Sequence, residues 1–194
     1  MIPVYLYIQK GFNSRSMKPT IEEIRQAWKE YEQENGKFDE LFFNEVGERF
    51  RKRGFLTPID LYLILIWKLE SFGNALKSAR AAITENSEEN IRNVTATAVK
   101  YTNDKNVEEA IRELCKLHYV KEVVASAILT FYDPLNYGVM DIHSFKALEL
   151  PKDYSASMYA RYLQELHNLK RALGNFSCHQ IDAALYELCR KKSR

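Results

Sequence analysis

The chain has 194 residues, of which 46% are hydrophobic and 28% are charged. These values are ordinary for a globular protein and exclude a mainly disordered chain. The 28 Lys and Arg residues nearly balance the 26 Asp and Glu residues, so the formal net charge is +2. A charge this small excludes a strong overall field toward a polyanion, and only local basic clusters could attract one.

The cysteines and the start of the chain exclude several further classes. Cys115, Cys178 and Cys189 are odd in number and contain no C-x-x-C pair, which argues against a disulfide framework and against a zinc site. Residues 1–16 lack the basic and apolar regions of a signal peptide. The longest apolar run, residues 55–67, is interrupted by Pro and Asp and is too short to span a bilayer. We therefore expect a cytoplasmic protein that does not enter a membrane.

Helix signals recur along most of the chain. Thr20 and Glu23 have the spacing of a capping box, and Gly36 is the predicted end of the helix that they begin. Thr57 followed by Pro58 predicts the start of another helix, with Pro at its first position. Further starts are predicted at Ser87, Asn106, Ser155 and Ser177. The pattern predicts an all-α fold: a single compact helical domain of about eight to ten helices in two lobes.

The domain organisation follows from the same signals. Residues 1–18 are predicted to be an N-terminal extended arm, within which only residues 4–8 have the pattern of a strand. Residues 19–194 are predicted to be one helical domain, because no low-complexity linker divides them. Within this domain, residues 107–132 have the pattern of a helix-hairpin-helix element.

A single carboxylate stands out at the end of the segment 107–148. Residues 107–117 predict an amphipathic helix, residues 118–121 a tight connection, and residues 122–132 a helix rich in small and apolar side chains. Asp133 before a proline predicts the end of that helix, since proline disfavours helical geometry in the residue before it. A short loop then leads to Asp141, directly before another amphipathic run.

This arrangement resembles the core of the helix-hairpin-helix DNA glycosylase superfamily, and within it a divergent branch with a degenerate hairpin. The resemblance rests on WK at residues 67–68, VASAIL at 124–129, YGVMD at 137–141 and DAAL at 182–185. It spans roughly residues 55–190, and its motifs are loose individually and more specific in combination.

The resemblance implies a DNA-binding site and a catalytic residue. In such glycosylases the hairpin amides hold a DNA phosphate, often with a monovalent cation on the hairpin carbonyls, and the damaged nucleotide is flipped into a cleft. Asp141 matches the aspartate that stabilises positive charge on the sugar as the base departs. The residues that match the phosphate hairpin are His118, Tyr119, Val120 and Lys121. No other cofactor is implied.

The hairpin departs from the usual L-x-G-V-G pattern, because both glycines are replaced. Tyr119 and Lys121 place a Cβ where the backbone would approach the phosphate, although the Lys121 ammonium could contact the phosphate instead. Bifunctional members carry a lysine at the position of Val123. We therefore expect hydrolysis by a monofunctional enzyme rather than lyase chemistry, unless Lys121 reaches the sugar.

Other candidate residues have structural alternatives. The candidates for stacking on the flipped base are Trp67, Tyr132, Tyr137 and His143. The candidates for further DNA contacts are Arg51, Lys52 and Arg53. Basic residues at a helix end also complement the helix dipole, however, and Trp67 suits a buried core helix. Asp141 could be only a helix N-cap, and Lys121 only a solvated charge.

Three functions remain open at this level. The first is a DNA-binding enzyme of base-excision repair that hydrolyses the N-glycosidic bond of a damaged base. The second is a non-catalytic nucleic-acid-binding module on the same fold, which the missing glycines favour. The third is a helical scaffold for an unknown protein partner, which the small net charge favours.

Overall fold

The computed structural model describes residues 18–70 and 73–192, and this part of the chain is all-α, as predicted. It contains ten α-helices and no β-strand. The helices are α1 (Ile21–Phe42), α2 (Glu48–Arg53), α3 (Pro58–Leu69), α4 (Ala75–Glu85), α5 (Glu88–Asn103), α6 (Val107–Leu114), α7 (Glu122–Tyr132), α8 (Ile142–Ala147), α9 (Ala156–Leu173) and α10 (Cys178–Lys192). The extended arm and the strand predicted before residue 18 lie outside the described residues. Among the described helices, none combines the length and the apolar character that crossing a bilayer requires.

The structure confirms the helix starts predicted at Thr57, Ser87 and Ser155. Thr57 and Asp60 form a reciprocal capping box at the start of α3, and Ser87 accepts a hydrogen bond from the Asn90 amide at the start of α5. Ser155 accepts one from the Met158 amide before α9. These caps were predictable because donor and acceptor are three residues apart, so that no tertiary contact is needed to bring them together.

The prediction that the first helix ends at Gly36 was wrong. Helix α1 continues through Gly36 to Phe42, and a π-helical turn, Phe43–Gly47, joins it to α2. Glycine costs about 1 kcal/mol in a helix interior. Here α1 lies along α10, and ion pairs of Arg190 with Glu34 and of Lys191 with Glu30 fasten it to that helix. These contacts outweigh the weak local preference at Gly36.

The core is centred on α3, α7 and α10. Every residue of α7 from Val124 to Phe131 is buried, which agrees with its small and apolar composition. Helix α3 packs on α4 and α7, and α10 packs on α1, α8 and α9. Helix α6 contacts α5, α7 and α9. The helices packed on α3 and those packed on α10 therefore share one core. The division into two lobes stays a prediction.

Candidate functional site

Asp141 lies at the start of α8, where the sequence placed it. Its Oδ1 accepts a hydrogen bond from the His143 amide at 2.9 Å, which makes Asp141 the N-cap of this helix. The side chain is about one-quarter exposed. Asp141 is therefore a helix cap through Oδ1, and Oδ2 can bind another partner.

That partner is Lys68, which the sequence did not single out as a site residue. Lys68 Nζ lies 3.2 Å from Asp141 Oδ2, and the lysine side chain is only 11% exposed. Lys68 is in the last turn of α3, 73 residues earlier in the chain. An ion pair shielded from solvent to this degree is stronger than one on the open surface. Lys68 belongs to the WK motif at residues 67–68, but no local spacing indicates which acidic residue it pairs with.

Asp141 and Lys68 line a cavity of about 300 Å³ between α1, α3, α8 and α10. Its aromatic lining residues are Tyr31, Phe38, Trp67, His143, His179 and Tyr186. The structure thus brings two of the predicted base-pocket residues, Trp67 and His143, next to Asp141. A volume of this size is at the small end for a ligand pocket, which suits one flat ring system.

The other two predicted base-pocket residues are not among those that line this cavity. Tyr132 packs against Phe50, with ring centroids 5.1 Å apart. Tyr137 lies beside Thr102 in a separate depression, and burial raises the pKa of its hydroxyl to about 12. Both are near Asp141 in sequence, but Tyr132 belongs to the end of α7 and Tyr137 to the loop before α8, and neither side chain lines the cavity.

Asp39 is a buried acceptor in the cavity lining, and no local sequence pattern indicated it. It accepts hydrogen bonds from Tyr31 Oη at 2.8 Å and from Trp67 Nε1 at 2.9 Å, and His179 Nε2 lies 3.3 Å away. Burial alone would raise the pKa of Asp39, but the hydrogen bonds from His179, Trp67 and Tyr31 together with the charge of His179 outweigh it and hold the pKa below its usual value. Asp39 therefore fixes the orientation of Trp67, whose ring contributes both to the core and to the cavity.

Asp182 holds the loop that carries Asp141. This buried carboxylate accepts hydrogen bonds from Tyr162 Oη at 2.5 Å, Ser144 Oγ at 2.7 Å and the Val139 amide at 3.0 Å. Burial raises the pKa of Asp182, and the hydrogen bonds from Tyr162 and Ser144 offset part of that effect. Ser126 Oγ accepts the next amide, that of Met140, at 2.8 Å. The backbone on the N-terminal side of Asp141 is thus fixed from two helices.

The hairpin between α6 and α7 contains a backbone conformation that favours glycine, although the residue there is Tyr119. Tyr119 has φ +65°, in the left-handed region that favours glycine. Asn86 braces the turn, because its side chain accepts from the His118 amide at 3.0 Å and donates to the His118 carbonyl at 3.1 Å. Val120 is buried, and Lys121 is exposed at the N-cap of α7. The surface of this turn carries an aromatic ring and a cation.

We expect Tyr119→Gly to give a more stable protein than Tyr119→Ala, by about 1 kcal/mol in the free energy of unfolding. Both variants lose the ring and its hydrogen bond to Glu85, and they differ only in a Cβ that the left-handed backbone disfavours. Urea denaturation of the two variants measures the difference. At Lys77, an exposed position inside α4, the same pair should show the opposite order. Equal stability of the two Tyr119 variants would contradict the strained turn.

The predicted monovalent cation at the hairpin stays a prediction. The carbonyl oxygens of Leu117 and His118 already accept hydrogen bonds, from the Val120 amide and from Asn86. Across residues 18–70 and 73–192, no group of three or more His, Cys, Asp and Glu side chains is arranged to hold a metal ion.

The basic cluster at the end of α2 is exposed, but its arginines also bind groups of the protein itself. Arg53 and Arg49 both pair with the buried Asp60, and Arg51 donates to the Phe131 carbonyl at 3.2 Å. Burial would raise the pKa of Asp60, but hydrogen bonds from Thr57 and the charges of these arginines hold it below the usual value. Lys52 is exposed. The cluster therefore helps to fasten α2 to α3 and α7, and its role in DNA contact stays a prediction.

Comparison of the chain with protein-family models, with curated proteins and with solved structures found no match. The site therefore has to be interpreted from its own geometry: an Asp–Lys pair at the wall of a small aromatic cavity, with a braced hairpin at the start of α7.

Proposed function

We propose that this protein binds duplex DNA and hydrolyses the N-glycosidic bond of a damaged base. The observation that carries the proposal is the position of the Asp141 carboxylate, at the wall of a base-sized aromatic cavity and beside the Lys68 ammonium. The resemblance to helix-hairpin-helix glycosylases supports the same function, because Asp141 matches their aspartate.

In this proposal a nucleotide leaves the duplex and its base enters the cavity. As the bond between C1′ and the base nitrogen lengthens, positive charge develops on the sugar, and the Asp141 carboxylate stabilises it. Water adds to C1′ and loses a proton, and the base leaves with the bonding electron pair and takes up a proton. Lys68 acts as a positioning residue, because its ion pair and the His143 amide together fix the carboxylate plane.

Phosphate contacts come from the hairpin in this proposal. The backbone amides at the start of α7 point along the helix axis, and the N-terminal end of a helix favours an anion. Lys121 adds a full positive charge at that place. Because the formal net charge is only +2, binding depends on such local contacts rather than on the whole surface.

A second function, a non-catalytic DNA-binding module, is favoured by one specific observation. Both oxygens of Asp141 already have partners, the His143 amide and the Lys68 ammonium. A carboxylate compensated in this way stabilises a developing cation less than a carboxylate without a cationic partner. The two functions share the hairpin and differ only in turnover.

Base release from labelled duplexes decides between them. Each duplex carries one damaged or mismatched base, and hot alkali after the incubation breaks the strand at every abasic site. Strand breaks that require alkali support a monofunctional glycosylase. Breaks without alkali would indicate lyase chemistry and make Lys68 or Lys121 the amine to test. Salt-dependent binding without any breaks would favour the non-catalytic module, and no binding would direct attention to a protein partner.

Replacing Lys121 by Gln should weaken duplex binding severalfold and reduce the slope of log K against log salt by about one, since one phosphate contact is lost. Fluorescence anisotropy over a salt series measures both quantities. Lys152→Gln removes an exposed lysine outside the hairpin and serves as the matched control. Equal slopes for the two variants would show that Lys121 is a solvated charge.

A further inference from the structure

We infer that a second depression, between α9 and the connection from α5 to α6, is a binding site for a free nucleoside monophosphate. This α9 depression is separate from the cavity beside Asp141, because no residue lines both. Its volume is about 720 Å³, which lies within the range of small-molecule pockets. The inference depends on the polarity of one wall, on two cations without acidic partners and on carboxamides without internal hydrogen bonds.

One wall of the α9 depression is a single face of α9. Its residues recur at intervals of three and four, so their side chains project to the same side of the helix. Along this face the side chains change from apolar at the N-terminal end to polar and cationic at the C-terminal end. The wall therefore matches a ligand with a flat apolar ring at one end and an anionic group at the other. Its residues are Ala160, Leu163, Gln164, His167, Asn168 and Arg171.

An aromatic ring in the lining is available for stacking. Tyr137, in the loop between α7 and α8, is half-buried and lines the α9 depression together with Val107. Burial raises the pKa of Tyr137 to about 12, so the phenol stays neutral and does not repel an anion. Stacking on an aromatic side chain is favourable for every nucleobase, because each base has a π-face.

Two cations of the lining are not paired with acids. Lys105 and Arg171 are exposed, and neither forms an ion pair within the described residues. Arg171 donates to Asn168 Oδ1 at 2.6 Å. The carboxylate in the lining, Asp133, already accepts from two backbone amides of the turn that follows it and from Asn136 Nδ2. A lysine and an arginine of this kind are available to a phosphate group.

Lys105 occupies a backbone position that favours glycine. Its φ is +57°, and its amide donates to the Thr102 carbonyl at 3.0 Å, in the turn that ends α5. Glycine is the usual residue at such a helix end, and a residue with a Cβ is less stable there. Strained residues of this kind are concentrated at binding and active sites. The cost of Lys105 to the fold is explained if its ammonium holds a ligand.

Carboxamides of the lining can recognise the base. The side chains of Asn103 and Gln164 form no hydrogen bond with the described residues. Each offers a donor group and an acceptor, the combination that pairs with the edge of a nucleobase. An inorganic phosphate would use the cations alone, whereas a nucleotide uses the cations, the ring of Tyr137 and these amides.

The α9 depression is distant from the hairpin that contacts DNA in the proposed function. Asp133 and Tyr137 follow the C-terminal end of α7, whereas Lys121 caps its N-terminal end. The 11 residues of α7 separate the two places by about 16 Å, at about 1.5 Å per residue. A duplex held at the hairpin therefore does not account for Lys105 and Arg171. The inference does not depend on the proposed function.

Isothermal titration calorimetry tests the ligand class. The probes are adenosine, guanosine, cytidine and uridine 5′-monophosphate, the four corresponding nucleosides and inorganic phosphate. We expect at least one monophosphate to bind about tenfold more tightly than its nucleoside and than inorganic phosphate, because only the monophosphate engages both the cations and the ring. No saturable binding by any monophosphate would overturn the inference. So would affinities equal to those of the nucleosides or of inorganic phosphate.

Four variants locate the bound nucleotide. Arg171→Gln and Lys105→Gln should each weaken its binding about three- to fivefold, since each removes one exposed charge that faces the phosphate. Arg161→Gln on α9 and Lys100→Gln on α5 are the matched controls, because both residues are exposed and lie outside the lining. Equal affinities in all four variants would place the nucleotide elsewhere and overturn the inference.

Lys105→Gly separates loss of binding from loss of the fold. We expect this variant to bind the nucleotide as weakly as Lys105→Gln while its melting temperature is higher than that of the wild type, because glycine relieves the strained backbone. Binding as tight as that of the wild type would exclude Lys105 from the site and overturn the inference.

Competition distinguishes a free nucleotide from a DNA end. A 5′-phosphorylated duplex should leave the affinity for the nucleotide unchanged, since the hairpin is at the other end of α7. Displacement of the nucleotide by the duplex would make the α9 depression part of the DNA surface and overturn a site for a free nucleotide. Nucleotide binding without base release from any duplex supports this inference and contradicts the proposed function.

Discussion

Asp141→Asn should slow base release by about 10²- to 10³-fold while the fold and duplex binding are retained. The substitution removes the negative charge that faces the sugar in the proposed reaction. It keeps a side-chain oxygen that can accept from the His143 amide, and Asn is among the preferred N-cap residues. Single-turnover release, measured with enzyme in excess over duplex, reports the chemical step directly.

The control for this variant is Asp133→Asn. Asp133 ends α7, and its Oδ1 accepts from the Leu135 amide at 3.1 Å, so Asn can preserve this turn as well. It is not among the residues that line the cavity. Equal release by Asp141→Asn and the wild type would contradict the proposed chemistry and leave Asp141 as a helix cap. Loss of release in both variants would indicate that the loop, rather than the carboxylate, had been disturbed.

The parts of the fold that sequence predicted well depend on short-range chemistry. Thr57 with Asp60, and Ser177 with Gln180, satisfy each other's backbone across three residues. Asp141 belongs to the same group, because an N-cap is recognised from its immediate neighbours. The all-α class followed from the number of such signals.

Asp141 was predicted as a site residue, but Lys68 and Asp39 were not, because the residues of the site come from distant parts of the chain. Lys68 meets Asp141 across 73 residues, and Asp39 meets His179 across 140 residues. None of these pairs has a spacing that a helix or turn could indicate. At the α2 cluster, counting positive charges could not show that buried Asp60 binds Arg49 and Arg53.

The hairpin shows a third kind of difference between sequence and structure. The replaced glycines indicated that a Cβ would crowd the approach of a phosphate, and the structure adds that Tyr119 adopts φ +65°. Asn86 supplies two hydrogen bonds to His118, which hold a turn that the local residues disfavour. A tertiary clamp from 32 residues away thus replaces the conformational freedom of glycine, which no local pattern could reveal.

Asp182→Ala should lower the free energy of unfolding by about 3 kcal/mol or more. The change leaves three buried donors without their acceptor: Tyr162, Ser144 and the Val139 amide. Each such donor costs about 1–3 kcal/mol. Urea denaturation followed by circular dichroism measures the loss. Because Val139 leads directly to Asp141, we also expect base release to fall in this variant.

Asp182→Asn separates the acceptors from the charge. Burial raises the pKa of Asp182, so the ionised carboxylate is itself costly, and a neutral amide relieves that cost while its oxygen still accepts from Tyr162 and Ser144. The amide nitrogen cannot accept from the Val139 amide, so we expect Asn to cost about 1–3 kcal/mol, less than Ala. Asp153→Ala, at an exposed turn before α9, should cost no more than about 1 kcal/mol. If Ala and Asn at position 182 were equally destabilising, the charge rather than the hydrogen bonds would hold the loop. The rigidity of Asp141 would then derive from its own cap and from Lys68 alone.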